Sequence, residues 1–257
     1  MLISKFRDLV LMEVSEGKVL TIACDSCGGI GSSSSDVVKV DEEIVGYLTT
    51  RVCMFETLSY RALPKVIVNN LCVEMDGRGE KILNGIRRAM DEFNGLNFER
   101  KLTEDNLTGS TEDNIEVMQT AFGVTVIGEE GLDERLWDID KDDVLIAVGK
   151  PLVGDEVIKS LAEDDNRIVS MKSLKIILDY SKDVIPVGSK GIDYEISVLE
   201  ETNGIELEKY ENIEIDCKTS AGPSTVVLAI VERDMIRKIE KRIDEEILEI
   251  GRVKILK

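Results

Sequence analysis

The chain has 257 residues, 43% of them apolar and 32% charged, which is enough to build a core and too apolar for disorder. Its 51 acidic residues against 32 basic ones leave a net charge of −19, which repels phosphate backbones and anionic lipid and speaks against nucleic-acid or membrane-surface roles. Histidine is absent, which removes histidine-based catalytic triads, histidine-ligated zinc and histidine proton shuttles.

In chain order, residues 18–24 form the first clear strand, an apolar and β-branched run that ends at Asp25, with 17 residues before it. Residues 28–35 are a glycine and serine loop, and 36–40 restart an extended run. Ile44, Leu48, Val52, Phe55, Leu58 and Ala62 recur every three or four positions, which predicts a helix over 43–63 with Pro64 just past its end. A buried-type strand over 65–73 follows, then a loop at Gly77–Gly79 and a helix with Ile82, Ile86, Met90 and Phe93 on one face. Residues 102–114 are polar and irregular, and 117–127 return to strand. The acidic stretch 128–142, which holds the single Trp137, reads as a domain junction.

A strand at 143–148 opens the second part. Helices are expected near 153–162 and 171–180, a strand at 183–187 and a helix around 192–202. Strands at 205–209, 213–217 and 225–231, a helix at 233–243 and a strand over 247–256 complete it. Helices and strands alternate irregularly, which predicts an α+β fold in two domains, 1–130 and 140–257.

The five cysteines are an odd, scattered number. Cys24 and Cys27 form a C-x-x-C that reads better as a strand entering a turn than as a redox pair, so the thiols are expected to be reduced and the compartment the cytoplasm. No apolar run approaches the ~20 residues that span a bilayer.

Without histidine, acid–base chemistry falls to carboxylates, Lys, Cys or Tyr, and carboxylates suit magnesium and phosphates. Three acids stand where elements meet loops or apolar surroundings: Asp25, Glu56 and Asp113. Taken singly, each has an ordinary explanation, as a turn or cap residue for the aspartates and a solvated helix position for Glu56. Gly188-Ser189-Lys190-Gly191 reads equally as an anion nest at a helix start or as a plain strand-to-helix turn. Residues 219–224 read as a tight connection between two strands.

The spacing of these segments resembles the aminoimidazole ribonucleotide synthetase superfamily, which includes thiamine monophosphate kinase and selenophosphate synthetase. The resemblance rests on Asp25-Ser26-Cys27-Gly28 at the end of an early strand and on Cys53-Met54-Phe55-Glu56 eight residues before Pro64. It rests further on Gly109-Ser110-Thr111-Glu112-Asp113, the strand 122–128 and the Asp143-Val-Leu-Ile-Ala147 strand opening. Within the superfamily the chain is similar to the short bacterial alpha-ribazole kinases, in segments 25–31, 68–76, 108–112, 185–191 and 219–223. It departs from the superfamily pattern in Ile30 for a lysine, Glu56 for an aspartate and Ser110 for a glutamate, and from the kinases in the serine run Ser32–Ser35.

This resemblance implies a two-domain aminoimidazole ribonucleotide synthetase-like fold, with an N-terminal sheet-and-helix domain for ATP binding and dimerisation and a C-terminal α/β-sandwich domain. It implies ATP-dependent phosphorylation of the 5′-hydroxyl of alpha-ribazole, in cobalamin salvage, by a homodimer whose sheets close a barrel and hide edge strands such as 66–73. Asp25, Glu56 and Asp113 would hold magnesium, with Asp25 and Asp113 at the chemistry. Gly28, Gly29, Asn70, Gly109, Ser110 and Thr111 would serve the nucleotide, and Lys190 phosphate or substrate. Any general base would be a carboxylate. A different small acceptor, or a non-catalytic nucleotide-binding protein of the same fold, are the alternatives.

Overall fold

The computed structural model describes residues 2–131 and 139–256, with the side chains of residues 131, 255 and 256 left aside. The chain divides into two compact units, Met1–Leu132 and Asp133–Lys257. Trp137 and the centre of the acidic junction lie outside the described residues.

The first unit begins with a hairpin, β1 (Ile3–Phe6) and β2 (Leu9–Ser15), before the long β3 (Lys18–Gly28). Short strands β4 (Ile30–Gly31) and β5 (Val38–Lys39) flank the serine loop. The helix α1 (Glu42–Ser59) follows, then β6 (Leu63–Leu71), a tight turn over Met75–Gly79 and α2 (Glu80–Gly95). β7 (Leu107–Thr111) and β8 (Ala121–Gly131) complete a six-stranded sheet of order β1-β2-β3-β8-β6-β7. Only the β6–β7 pair in it is parallel.

Asp41 caps α1 by accepting the Glu43 N–H, and Glu42 and Glu43 add the negative charge that a helix N-terminus favours. α1 lies across β3 and β8 and buries Cys53, Met54, Phe55 and Leu58. Each large side chain so buried contributes about 1.5–3 kcal/mol. α2 packs on α1, and the two backbones meet at glycines. A methyl on Gly85 would sit 2.1 Å from Glu43 O, and one on Gly46 would sit 2.3 Å from Ile82 O.

The second unit is a five-stranded antiparallel sheet of order β10-β12-β9-β13-β11. In chain order it comprises β9 (Val144–Val148), α3 (Asp155–Glu163), α4 (Met171–Tyr180), β10 (Ser181–Pro186), α5 (Ile192–Asn203), β11 (Ile205–Lys209), β12 (Val227–Val231), α6 (Arg233–Glu240) and β13 (Ile247–Leu256). β9 and β12 are buried along their whole length, as strands covered on both faces must be. Ile192 and Leu199 of α5 share a core with Leu145, Ala147, Leu228 and Ile230. The alternate residues of β9 and β12 point the other way, and α4 packs on β10 and β12. Among the described residues no helix is long and apolar enough to cross a membrane.

Several expectations change. The strand over 18–24 is not the first, because the hairpin β1–β2 precedes it, and it continues through Asp25 to Gly28 along β8. The helix expected to reach residue 63 ends at Ser59, and Pro64 lies near the start of β6, where a missing N–H is tolerated. β6 is no edge strand, since β7 covers it; β7 replaces the irregular stretch expected here, because Leu107-Thr-Gly-Ser-Thr111, with a single apolar residue, carries no strand pattern of its own. β8 begins four residues later than expected, because Arg78 holds Val117 O and Asp36 holds Thr120. Residues 213–217 form no strand: Ile213, Ile215 and Cys217 alternate because they pack on the α5 side of the core. The segment 219–224 therefore is not a hairpin turn.

Candidate functional site

Burial along β3 places Val19, Thr21 and Ala23 toward the helices, and the two-residue period carries Asp25 and Cys27 onto that same face. Cys24 and Ser26 face the opposite way, so Cys24 and Cys27 cannot join, and all five cysteines are free. Facing Asp25 across the interface is α1, whose buried Cys53 donates to Val124 O at 3.6 Å. Glu56, three positions further along α1, is half-buried rather than solvated.

The electrostatics ties these acids together. Burial pushes the Cys53 thiol up, and the negative charges of Glu56 and Asp25 push it further. Burial also raises Cys27, to about 11, with Asp25 and Asp36 adding to it. Asp25 itself is raised by burial, offset in part by the hydrogen bond it accepts from Ser26 N–H at 2.8 Å. Asp25 and Glu56 are thus two carboxylates at the Cys53 end of the strand-helix interface.

The sheet register sorts the other residues by face. Asp25, Val124, Asn69 and Gly109 form one row across β3, β8, β6 and β7. Ser26, Gly123, Asn70 and Ser110 form the next row, on the opposite face. Asn70 and Ser110 therefore sit side by side, exposed, away from the face of Asp25. The asparagine on the inner face is Asn69, 4% exposed, whose Nδ2 donates to Thr108 O at 3.0 Å. Gly109 lies so close to it that a methyl would come within 2.4 Å of the Asn69 side chain. Thr111 Oγ1 donates to Val73 O at 2.7 Å and ties β7 to the segment just past β6.

Asp113 follows β7 and accepts the Met75 N–H at 2.7 Å. It lines an open cleft of about 550 Å³ together with Ser33, Ser34, Glu74, Arg78 and Glu116. Asp113 is thus brought to the turn before α2, whereas Asp25 and Glu56 are brought to Cys53. Among the described residues no group of three or more Cys, Asp or Glu is arranged to hold a metal by itself. Magnesium commonly takes one or two carboxylates and completes its shell with water and phosphate oxygens, and the hard-oxygen pair Asp25 and Glu56, with Asp113 apart, suits that mode.

Gly28 ends β3, and Gly29, at φ +72°, turns the chain while donating to Thr120 O at 2.8 Å and accepting from Val37 N. Two acids missed in the sequence hold this loop. Asp36, 5% exposed, accepts from Thr120 N, Thr120 Oγ1 and Ser33 N; burial works to raise its pKa, but these bonds outweigh it and the value falls. Buried Glu42 accepts from Ser32 N at 2.7 Å. The four-serine run gave no sign of this, because its fixed points are backbone N–H groups.

In the second unit, the segment 185–191 meets the segment 219–223. Ala221 N donates to Gly188 O at 3.1 Å, and Gly191, at φ +79°, lies against the carbonyls of Cys217 and Thr219. Lys190 at this junction places Nζ 3.9 Å from the centre of the Tyr194 ring, a cation–π contact.

No family model matches the chain, and no curated protein matches it. Solved structures do. A ThiL complexed with AMPPCP and TMP superposes with a TM-score of 0.61 at 16% identity, over 96% of this chain and 84% of that one. Thiamine monophosphate kinase (ThiL) from Aquifex aeolicus gives 0.59 at 14% identity, over 93% and 85%. The chain has the aminoimidazole ribonucleotide synthetase-like fold. Phosphoribosylformylglycinamidine synthase II from Thermotoga maritima shares it, with a TM-score of 0.54 at 14% identity, over 96% of this chain and 37% of that larger one. At these identities the likeness concerns architecture, and chemistry has to be argued from the residues.

Proposed function

We propose that the protein is an ATP-dependent phosphotransferase acting on a small nucleoside-like acceptor, with alpha-ribazole, converted to alpha-ribazole 5′-phosphate in cobalamin salvage, as the leading candidate. The observation that carries the reading is the superposition, over nearly the whole chain, on a ThiL complexed with AMPPCP and TMP, combined with the acids Asp25, Glu56 and Asp113 on the first unit. In this reading the first unit binds ATP and the second shapes the acceptor site.

Asp25 and Glu56 at the Cys53 end, and Asp113 separately at the turn before α2, would hold magnesium, which would supply charge neutralisation to the phosphates. Gly28, Gly29, Gly109 and Thr111 would present backbone and hydroxyl groups to the nucleotide, while Asn70 and Ser110, which the register turns to the opposite face of the sheet from Asp25, would have to meet it from that other side. Lys190, beside the junction of segments 185–191 and 219–223, would serve phosphate or acceptor. The lack of histidine suits phosphoryl transfer, where alignment and charge neutralisation outweigh a strong base; a carboxylate would take the acceptor proton.

The working form would be a cytoplasmic homodimer in which the helix-free faces of the two first-unit sheets meet. Val10, Met12, Leu20, Ile22, Val66, Val68 and Ile127, none of them buried by the chain itself, support this. A non-catalytic nucleotide-binding role is the second reading, favoured by Glu56 and Ser110 standing where the superfamily pattern has an aspartate and a glutamate. Thermal denaturation with ATP, with and without magnesium, tests the proposal. Binding to the folded state adds about 2.7 kcal/mol at a hundredfold excess over Kd, so a magnesium-dependent rise in Tm is expected. No shift at millimolar nucleotide would refute it.

A further inference from the structure

We infer that Arg78 is a positioning residue that holds the 112–118 segment, and with it Asp113, in the geometry that binds the magnesium nucleotide; this rests on the phosphotransferase reading. Among the described residues Arg78 is the one basic side chain lining the cleft, beside Glu74, Glu112, Asp113 and Glu116. Its Nε and Nη2 grip both oxygens of Glu74, at 2.9, 3.1 and 2.6 Å, and Nη2 also donates to Val117 O at 3.0 Å. The guanidinium thus ties the turn before α2 to the segment beyond β7.

A second tie runs in parallel, because Met75 N–H donates to Asp113 Oδ1. Asp113 is therefore placed from the same turn that Arg78 clamps. The other wall of the cleft converges on this point. Asp36 and Glu42, which fix Ser33 N and Ser32 N, both act electrostatically on Arg78. Ser33 Oγ donates to Met118 O, and Gln119 Nε2 to Ser35 O at 2.7 Å, so the serine loop is bonded to the strand entry that Arg78 holds at Val117. Beyond these bonds Arg78 keeps Nη1 buried with no hydrogen-bond partner among the described residues. A forked donor is needed here, because a lysine can satisfy Glu74 or Val117 O but cannot reproduce the bidentate grip.

The test compares wild type, Arg78→Gln and Arg78→Lys by two readouts. One is the magnesium concentration giving half of the ATP-induced rise in Tm; the other is the rate at which a glutamate-specific protease cuts after Glu112 and Glu116 in the ligand-free protein. Arg78→Gln should raise the magnesium requirement roughly tenfold or more, with the ligand-free Tm changed by only a few degrees and faster cleavage. Arg78→Lys should fall between. An unchanged magnesium requirement in Arg78→Gln, with wild type responding to ATP, overturns the inference alone. Equal losses of ligand-free stability and of magnesium response, with full rescue by Arg78→Lys, overturn it in favour of a purely structural charge pair. A wild type that does not respond to magnesium and ATP overturns the phosphotransferase reading, and the inference with it.

Discussion

Asp113 and Met75, 38 residues apart, are joined by a 2.7 Å hydrogen bond from the backbone of one to the carboxylate of the other. An amide at position 113 can accept the same bond through its carbonyl oxygen. Asp113→Asn should therefore leave the ligand-free Tm near the wild-type value while abolishing the magnesium-dependent part of the ATP-induced shift. Calorimetric titration with ATP and magnesium checks it, and unchanged binding removes Asp113 from the metal set.

Asp25→Asn separates stability from binding. Burial raises the Asp25 carboxyl above its ordinary value, so the folded state favours the protonated form. Stability from that preference is fully present below the unfolded pKa and is lost as pH rises through the folded one. At pH 7 the ionised group costs stability, and Asp25→Asn should raise the ligand-free Tm, by roughly 2–4 °C for each kcal/mol regained. The gain should vanish in acid, below the ordinary aspartate value. A pH series of melting curves reads this, and a lower Tm for the variant at pH 7 would count against it.

Much of the fold was legible because it follows from periodicity. The apolar spacing of α1 and α2 and the buried runs of β6, β9 and β12 all appear where the pattern put them, within a few residues. Two of the losses come from long-range pairing. β7 is a strand only because β6 offers it a parallel partner, and residues 213–217 fail to be one because no strand lies beside them among the described residues. In the site, the sequence singled out Asp25, Glu56 and Asp113 but not Asp36, Glu42 or Arg78, whose roles are to hold backbone groups of distant loops. It also could not sort Asn69 from Asn70, since only register says which faces inward.

The helix crossing predicts a contrast between two glycines of α2. Gly85→Ala forces a methyl to 2.1 Å from Glu43 O and 2.5 Å from Tyr47 N, and should cost about 1–3 kcal/mol of stability. Gly95 has nothing within 4 Å, so Gly95→Ala should be neutral or gain up to about 1 kcal/mol from helix propensity. Urea unfolding of both variants decides it; equal effects would mean the helices part more easily than the crossing implies.

The helix-free face of the first-unit sheet predicts self-association. Light scattering at micromolar concentration should give about twice the 28.6 kDa of one chain. Thr125→Glu, which adds a charge on that face beside Cys24, should shift the mass toward a monomer. A monomeric wild type would contradict the dimer.

Phosphoryl transfer from ATP is read most directly as ADP release with a panel of nucleosides that includes alpha-ribazole, with and without magnesium. The expected result is magnesium-dependent ADP formation, stoichiometric with a phosphorylated nucleoside, strongest with alpha-ribazole and lost in Asp113→Asn. ATP that binds with magnesium yet yields no ADP with any acceptor would contradict it and leave a nucleotide-binding protein in its place.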